Sequence, residues 1–204
     1  MEPDRFTHER EWLARGCQRI AGVDEVGRGP LAGPVVAAAV ILPENFDWDG
    51  LNDSKKLSAE QRARLSVRIR QDAATGLGIA TAAEIDASNI LVASMRAMAR
   101  AVAKLTHAPD HILVDGNRLP DWAHAAEAVI GGDARAPSIA AASIIAKHAR
   151  DEMMVSLDEQ YPGYHWAQNK GYGVPAHREG LEAQGVSPEH RRTFAPIRRS
   201  LEQS

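Results

Sequence analysis

Four acidic residues of this 204-residue chain lie where apolar segments of the sequence end. They are Asp24, Glu25, Asp115 and Asp133. A carboxylate beside buried apolar surface is costly unless it is ion-paired or bound to a cation. Such acids could cap strand ends and pair with the nearby cations Arg28, Arg118 and Arg135. They could instead hold one hard divalent cation such as Mg²⁺, which prefers oxygen ligands. Because the flanking sequence offers so few cations to pair with four acids, a shared metal ion is the favoured explanation.

The adjacent pair Asp24 and Glu25 sets a geometric condition on such a site. Neighbouring residues of a strand point to opposite faces of the sheet. Both carboxylates can therefore serve one site only if the strand ends or bends there. Gly27 and Gly29 follow directly and make a bend possible, because glycine has no Cβ. The same glycines could also form a tight turn that binds nothing.

A second geometric condition separates Asp133 from Asp151 as the fourth acid. A helix over residues 138–151 spans about 20 Å at about 1.5 Å per residue. The two acids cannot then share one metal centre. We therefore predict that Asp133 belongs to the site and that Asp151 is a surface charge.

The elements that must position these acids are typical of an α/β domain with a central mixed β-sheet flanked by helices. Ser58 and Gln61 form a capping-box pattern at one helix start. The polar chain beyond residue 158 predicts a surface module without a second core. We expect a catalytic core over 1–158 and a small helical C-terminal substrate-binding module over 159–204, in one continuous unit. Strands are predicted over 18–26, 34–42, 76–82, 111–114 and 125–130, and helices over 7–16, 58–74, 85–105 and 137–154.

Composition and charge exclude several classes of protein. The net charge is −3, so any nucleic-acid binding must use a local cationic patch. The single cysteine, Cys17, cannot form an internal disulfide and fits a cytoplasmic protein. The longest apolar run, residues 35–42, is too short to span a membrane. No zinc-type spacing of Cys and His occurs. We predict a structural role for His148, and we expect His190 to pack near the active-site module without being catalytic.

Basic residues that could contact phosphates occur in two regions of the chain. Those over residues 62–70 could equally be a solvated helix face. The candidates are Lys55, Lys56, Arg62, Arg64, Arg68, Arg70, Lys170, Arg178, Arg191 and Arg192.

Seven blocks of the sequence together resemble bacterial ribonuclease HII, a type 2 ribonuclease H. The resemblance covers nearly the whole chain in the family's order, which makes it specific. The blocks are DEVGRGPLAGPV at 24–35, NDSKKLS at 52–58, LVDGN at 113–117, GGD at 131–133, SIAAASIIAKHARD at 138–151, NKGYG at 169–173 and EHRRTF at 189–194.

The resemblance implies a ribonuclease H-like fold and an endonuclease that depends on Mg²⁺ or Mn²⁺. Such an enzyme cuts the RNA strand of RNA/DNA hybrids, and cuts 5′ of single ribonucleotides in duplex DNA to leave a 3′-hydroxyl and a 5′-phosphate. It implies that the catalytic, metal-binding acids are Asp24, Glu25, Asp115 and Asp133. We expect a monomer that binds these duplexes and does not bind a membrane.

The resemblance also implies substrate-binding residues. It assigns the turn that recognises the 2′-hydroxyl to Gly27, Arg28 and Gly29, and the tyrosine that packs on the sugar at the RNA-to-DNA junction to Tyr172. From the residues alone, Tyr172 could also be part of the core. Lys55, Lys56 and Lys170 lie inside matched blocks, which favours them as phosphate contacts. The family often has Lys-Gly-Asp where this chain has Gly131, Gly132 and Asp133, so no lysine contacts phosphate there.

Two other functions remain open at this point. One is a nucleic-acid-binding module of the same fold that has lost catalysis, although the presence of all four acids argues against it. The other is a DNA nuclease or recombinase of a related fold, which the Gly-Arg-Gly block opposes.

Overall fold

The computed structural model describes residues 7–47, 51 and 57–203. Its strands are β1 (Ile20–Val26), β2 (Val35–Ile41), β3 (Ala74–Ala80), β4 (His111–Asp115) and β5 (Ala126–Val129). Its helices are α1 (Thr7–Ala14), α2 (Ala59–Asp72), α3 (Ala82–Asp86), α4 (Ile90–Ala103), α5 (Pro137–Gln160), α6 (Trp166–Asn169), α7 (Pro175–Gln184) and α8 (Ala195–Gln203), and a 3₁₀ turn covers Gly132–Ala134.

The five strands form one mixed sheet in the order β3-β2-β1-β4-β5. β1 pairs antiparallel with β2, and β2 with β3. β1 pairs parallel with β4, and β4 with β5. The carboxyl ends of β1, β4 and β5 therefore meet at one edge of the sheet. The four candidate acids lie near these ends: Asp24 and Glu25 precede the last residue of β1, Asp115 ends β4, and Asp133 lies in the turn after β5.

Helices α4 and α5 cover opposite faces of the sheet. Small residues allow both to approach closely, as at Ala97 of α4, which packs with Ala37 and Ala39 of β2. On the other face, Ala142 and Ile145 of α5 pack with the alternate residues of β2. Because β2 is buried on both faces, its sequence is continuously apolar rather than alternating.

Most of the predicted elements are confirmed, with shifts of one or two residues at most of their ends, whereas α5 continues to Gln160, well beyond its predicted end. The capping box at α2 is also confirmed, since the Gln61 backbone N–H donates to Ser58 Oγ at 3.2 Å and the Ser58 N–H donates to Gln61 Oε1 at 2.8 Å. The prediction of a single helix over 85–105 was wrong. The Asn89 side chain accepts from the Val92 N–H at 2.9 Å and starts a new helix, so this stretch holds the last two residues of α3 and the separate helix α4.

The prediction that the chain beyond residue 158 has no core was also wrong. Trp166 is fully buried and Tyr164 is 4% exposed. Both pack with Leu31 of the β1–β2 connection and with Met154 of α5. Their burial attaches the C-terminal helices to that connection, which follows the two adjacent acids. The division into a core and a C-terminal module stays a prediction. Within the described ranges, no helix is long and apolar enough to cross a membrane.

Candidate active site

Asp24 and Asp115 are neighbours on adjacent strands at the acidic edge of the sheet. The parallel register pairs Val23 with Val114, so the two acids are the next residues of β1 and β4. Residues at one register of adjacent strands point to the same face. Asp24 is only 8% exposed. Burial, followed by the charges of Glu25 and Asp115, raises the pKa of Asp24 well above its usual value, while a hydrogen bond from Ser143 of α5 opposes this.

Glu25 also lies at this site, although it is adjacent to Asp24 in β1. Its backbone N–H donates to Asp24 Oδ1 at 2.7 Å. Arg28 Nη1 donates to Glu25 Oε1 at 3.2 Å. Burial raises the pKa of Glu25, Arg28 lowers it, and the charge of Asp115 raises it. The strand continues through Val26 before the chain turns at Gly27, so the strand does not end at the two acids.

The connection after β5 holds Asp115 in place. The Gly132 backbone N–H donates to Asp115 Oδ1 at 2.7 Å. A Cβ at Gly132 would lie 2.5 Å from Ile139 Cδ1 and 3.3 Å from that oxygen, so a larger residue here would have to displace the end of the Ile139 side chain. Asp133 follows directly and is half-buried. All four predicted acids thus belong to one edge of the sheet.

The chemistry of these carboxylates fits a hard divalent cation. Asp24, Glu25 and Asp115 offer carboxylate oxygens. Neighbouring negative charges disfavour the ionised forms of Asp24 and Glu25, a cost that a bound cation would offset. Over the described ranges, however, no group of three or more His, Cys, Asp or Glu side chains is arranged to hold a metal ion. The carboxylates lie at the same edge of the sheet, but their oxygens do not converge on one point.

The Gly-Arg-Gly turn and Tyr172 lie against each other. Gly27 has a φ of +93° and Gly29 is exposed. A Cβ at Gly29 would lie 3.5 Å from Tyr172 Cε1. Tyr172 is 48% exposed, so the alternative that it belongs to the core is wrong. The two regions assigned to substrate binding, 143 residues apart in sequence between Gly29 and Tyr172, are one surface.

The candidate cations have different environments. Lys55 and Lys56 lie outside the described residues. Lys170 is half-buried, and its Nζ donates to the Ala167 carbonyl. Burial lowers its pKa. Arg191 was wrongly assigned to phosphate binding, because it is fully buried.

Asp151 was wrongly predicted to be a surface charge. It pairs with Lys147 at 2.6 Å and with Arg62 at 3.5 Å, and its side chain is 18% exposed. Arg62 is correspondingly not on a solvated face, whereas Arg68 pairs with Asp47 at 2.8 Å nearer the surface.

Sequence reasoning missed the supporting role of three residues. Ser143 bonds to Asp24, and Arg150 and Arg191 bond to the connection after β1. The available signal was a polar side chain inside an apolar helix, which Ser143 and Arg150 both show. Arg191 has no such signal, since its neighbours in the sequence are polar.

A buried histidine pair lies beneath Tyr172. His177 and His190 are each 1% exposed, and their Nε2 atoms are 3.0 Å apart. Trp166 Nε1 donates to His177 Nε2 at 3.0 Å, and the Ser187 N–H donates to His190 Nδ1 at 3.0 Å. His177 Nδ1 is 3.0 Å from the Tyr172 carbonyl, which can only accept. His177 is therefore protonated at Nδ1 and His190 at Nε2, and both are neutral. These contacts agree with a structural role for His190.

We expect this histidine pair to make the fold less stable as the pH falls from about 6.5 to about 4. Burial, and then the charge of His177, lowers the pKa of His190 from 6.5 to about 4. The unfolded chain therefore takes up the proton first and is favoured. For His190 the full loss is about 3 kcal/mol.

Denaturant unfolding at a series of pH values measures this loss. The stability gap between wild type and His190→Gln should narrow as the pH falls through that range. His107→Gln, at an exposed histidine, should behave as wild type throughout. A His190→Gln gap that stays constant would contradict the neutral pair.

Comparisons with known proteins agree with this fold. The family model for ribonuclease HII matches residues 21–197. Ribonuclease HII of Rhizorhabdus wittichii is 61% identical over 178 residues, which cover 87% of this chain and 88% of that protein. The solved structure of ribonuclease H2 from Pyrococcus horikoshii has a TM-score of 0.79 at 27% identity, over 91% of this chain and 98% of that one.

A third comparison concerns the fold alone. The structure of Bst-RNase HIII in complex with Mn²⁺ has a TM-score of 0.69 at 20% identity, over 91% of this chain and 70% of that one. The predicted ribonuclease H-like fold is confirmed. The chain belongs to the ribonuclease HII family. It is accordingly a type 2 ribonuclease H, a hydrolytic nuclease.

Proposed function

We propose that this chain is a metal-dependent endonuclease that cuts the RNA strand of RNA/DNA hybrids and cuts 5′ of single ribonucleotides in duplex DNA. The products are a 3′-hydroxyl and a 5′-phosphate. One observation carries the proposal: Arg28 of the Gly-Arg-Gly turn bonds to Glu25 of the acidic edge at 3.2 Å. The turn proposed to recognise the sugar is thus hydrogen-bonded to an acid proposed to hold the metal ion that acts on the adjacent phosphate.

Asp24, Glu25, Asp115 and Asp133 would hold Mg²⁺ or Mn²⁺. When bound, such ions neutralise charge on the phosphate and activate water. The chain's own contribution is to orient the ligands. Ser143 and the Glu25 N–H fix Asp24, and the Gly132 N–H fixes Asp115. Carboxylates held in this way need less rearrangement when the cation and the phosphate arrive.

Selectivity for ribonucleotides has a separate physical source. DNA lacks the 2′-hydroxyl at each sugar, and a site whose polar groups require that hydroxyl can reject the deoxy analogue by about 10⁴ or more. Gly29 is exposed and has no Cβ, so its backbone can approach a sugar closely. The Tyr172 ring beside it offers a flat surface for the next sugar.

Duplex binding should be modest and sensitive to salt, because the net charge of the chain is −3. Lys170 lies two residues before Tyr172, and we propose it, together with Lys55 and Lys56, as a phosphate contact. We also propose a cytoplasmic monomer.

A panel of three duplexes tests the proposed function. The substrates are a DNA duplex with one ribonucleotide, a long RNA/DNA hybrid and an all-DNA duplex, each with Mg²⁺ and with Mn²⁺. We expect cleavage of the first two and none of the third, and a chelator should stop both reactions. Binding without cleavage would favour the non-catalytic module, whereas cleavage of the all-DNA duplex would favour a DNA nuclease.

Tyr172→Ala should selectively impair cleavage at the single ribonucleotide. We expect a loss of about 10- to 100-fold in kcat/KM there, equivalent to about 1–3 kcal/mol for one stacking contact. The long hybrid offers many registers and should be affected less. Tyr161→Ala is a matched control, because Tyr161 packs near Trp166 outside the proposed site. Equal losses on both substrates would contradict the junction role.

A further inference from the structure

Arg191 is a buried cation whose guanidinium N–H groups all donate hydrogen bonds to backbone carbonyls. Its Nε donates to the Gly33 carbonyl, its Nη1 to those of Arg28 and Pro30, and its Nη2 to those of Gly27 and Gly33. Four of these five distances lie between 2.8 and 3.0 Å. A guanidinium has five N–H donors, so each of them has a carbonyl partner within the β1–β2 connection.

Arg150 binds the same connection from α5. Its Nε donates to the Pro34 carbonyl at 2.9 Å and its Nη2 to that of Ala32 at 3.3 Å. Its Nη1 donates to the Lys170 carbonyl at 3.0 Å. The Arg191 N–H donates to the Leu31 carbonyl at 2.9 Å. Seven of the eight carbonyls from residue 27 to residue 34 therefore accept from one of the two arginines.

The remaining residue of that connection, Gly29, is exposed beside the Tyr172 ring. The Leu31 N–H donates to the Gly171 carbonyl at 2.8 Å. Together with the Arg150 bond to Lys170, this bond ties the turn to the segment that carries Tyr172. The two arginines thus direct the carbonyls inward and leave the Gly29 side of the turn facing outward.

Burying two guanidinium groups in this way lowers the stability of the fold. Arg150 is 1% exposed and Arg191 is fully buried. Among the residues that the structure describes, neither guanidinium has a carboxylate within salt-bridge distance. Burial lowers the pKa of Arg191 to about 9 and that of Arg150 to about 10. Apolar residues of similar volume often stabilise a fold as well as or better than buried charges, so stability alone does not account for two such arginines.

We propose that Arg150 and Arg191 are positioning residues that hold the Gly27–Pro34 turn and its contact with Tyr172 in the form that recognises a ribonucleotide. The proposal rests on the function proposed above. It assigns specificity to two residues that do not touch substrate themselves.

Arg191→Lys and Arg150→Lys test this role, because lysine keeps the charge but loses the planar set of donors. With the single-ribonucleotide duplex we expect kcat to fall about 100-fold for Arg191→Lys, the scale of a misplacement of about 1 Å. KM should change little, since these residues make no contact with the duplex. Arg150→Lys, which removes only three bonds, should have a smaller effect of the same kind.

The matched control is Arg100→Lys. Arg100 also donates to a backbone carbonyl, that of Ile79, but its side chain is 45% exposed on α4. We expect its kcat to equal that of wild type. All rates are to be compared at a temperature where circular dichroism shows each variant folded.

Hydrogen exchange gives a readout that does not depend on activity. In Arg191→Lys, amides over residues 27–34 and 170–173 should exchange faster while those of α4 keep their wild-type protection. Wild-type exchange and kcat in both variants would overturn the proposal, as would a loss of kcat that merely follows the unfolded fraction. If wild type itself cleaves none of the three duplexes, the proposed function fails. Faster local exchange in Arg191→Lys would then show only a structural role for Arg191. That outcome would also overturn the specificity proposal.

Discussion

Asp24→Asn is expected to abolish cleavage while raising the thermal midpoint of the metal-free protein near neutral pH. Asn keeps an oxygen to accept from the Glu25 N–H and from Ser143, so the local hydrogen bonds survive. It removes a charge that burial and two neighbouring acids disfavour. A raised carboxyl pKa means that the ionised group destabilises the fold as the pH rises above its unfolded pKa. Removing the charge relieves that cost.

The loss of activity should exceed the factor of about 100–1000 that loss of one transition-state hydrogen-bond donor costs, because a ligand of the catalytic cation is lost. Turnover on the single-ribonucleotide duplex and thermal unfolding measure the two effects. Mg²⁺ should raise the thermal midpoint of wild type and not that of Asp24→Asn. Asp115→Asn should also be inactive. Undiminished turnover in either variant would refute the assignment of the acids.

Asp110→Asn is the matched control at the other end of β4. Asp110 accepts from the backbone N–H groups of Gln18 and Arg19 and pairs with the Arg19 side chain. These bonds lower its pKa to about 2, so its charge stabilises the fold at neutral pH. The same chemical change should here lower the thermal midpoint and leave turnover intact. Destabilisation of equal size in Asp24→Asn would contradict the view that its charge is uncompensated.

Gly22→Ala is expected to destabilise the fold by more than about 3 kcal/mol, above the usual cost of overpacking. An added Cβ would lie 2.0 Å from the Ser138 carbonyl carbon and 2.2 Å from the Ile139 nitrogen. Backbone atoms cannot rotate away, so α5 must move off β1. Since α5 carries Ser143, the movement would also disturb the Asp24 carboxylate.

Gly16→Ala is the control for this substitution. A Cβ there meets no atom within 4 Å, although its φ of +93° carries backbone strain. The expected cost is about 1 kcal/mol, with normal turnover. Denaturant unfolding of both variants compares the two costs. A Gly22→Ala protein as stable as Gly16→Ala would contradict the close approach of α5 to β1.

The sheet was predictable because its sequence signals agree with its packing. β2 is a run of small and branched apolar residues, and it is buried on both faces. The acids at the ends of β1, β4 and β5 were predictable for a related reason, since a carboxylate directly after a buried strand needs an explanation. Parallel strands then bring their carboxyl ends to one edge.

The remaining features depend on contacts that no local pattern shows. The break at Asn89 was missed because the apolar spacing of α4 continues across it, while one side-chain hydrogen bond decides the boundary. Arg191 was interpreted as a surface cation because its sequence neighbours are polar, yet carbonyls some 160 residues earlier surround it. Burial of an arginine by backbone groups is a property of the tertiary fold alone.

Mapping the cut on a DNA duplex with one ribonucleotide tests the central claim most directly. In Mg²⁺ the proposed enzyme cuts once, on the 5′ side of the ribonucleotide, and leaves a 3′-hydroxyl and a 5′-phosphate. A denaturing gel with size standards, and labelling of the ends before and after phosphatase treatment, identify both products. Cleavage at deoxynucleotides, or a cut 3′ of the ribonucleotide with a cyclic or 3′-phosphate end, would contradict the account.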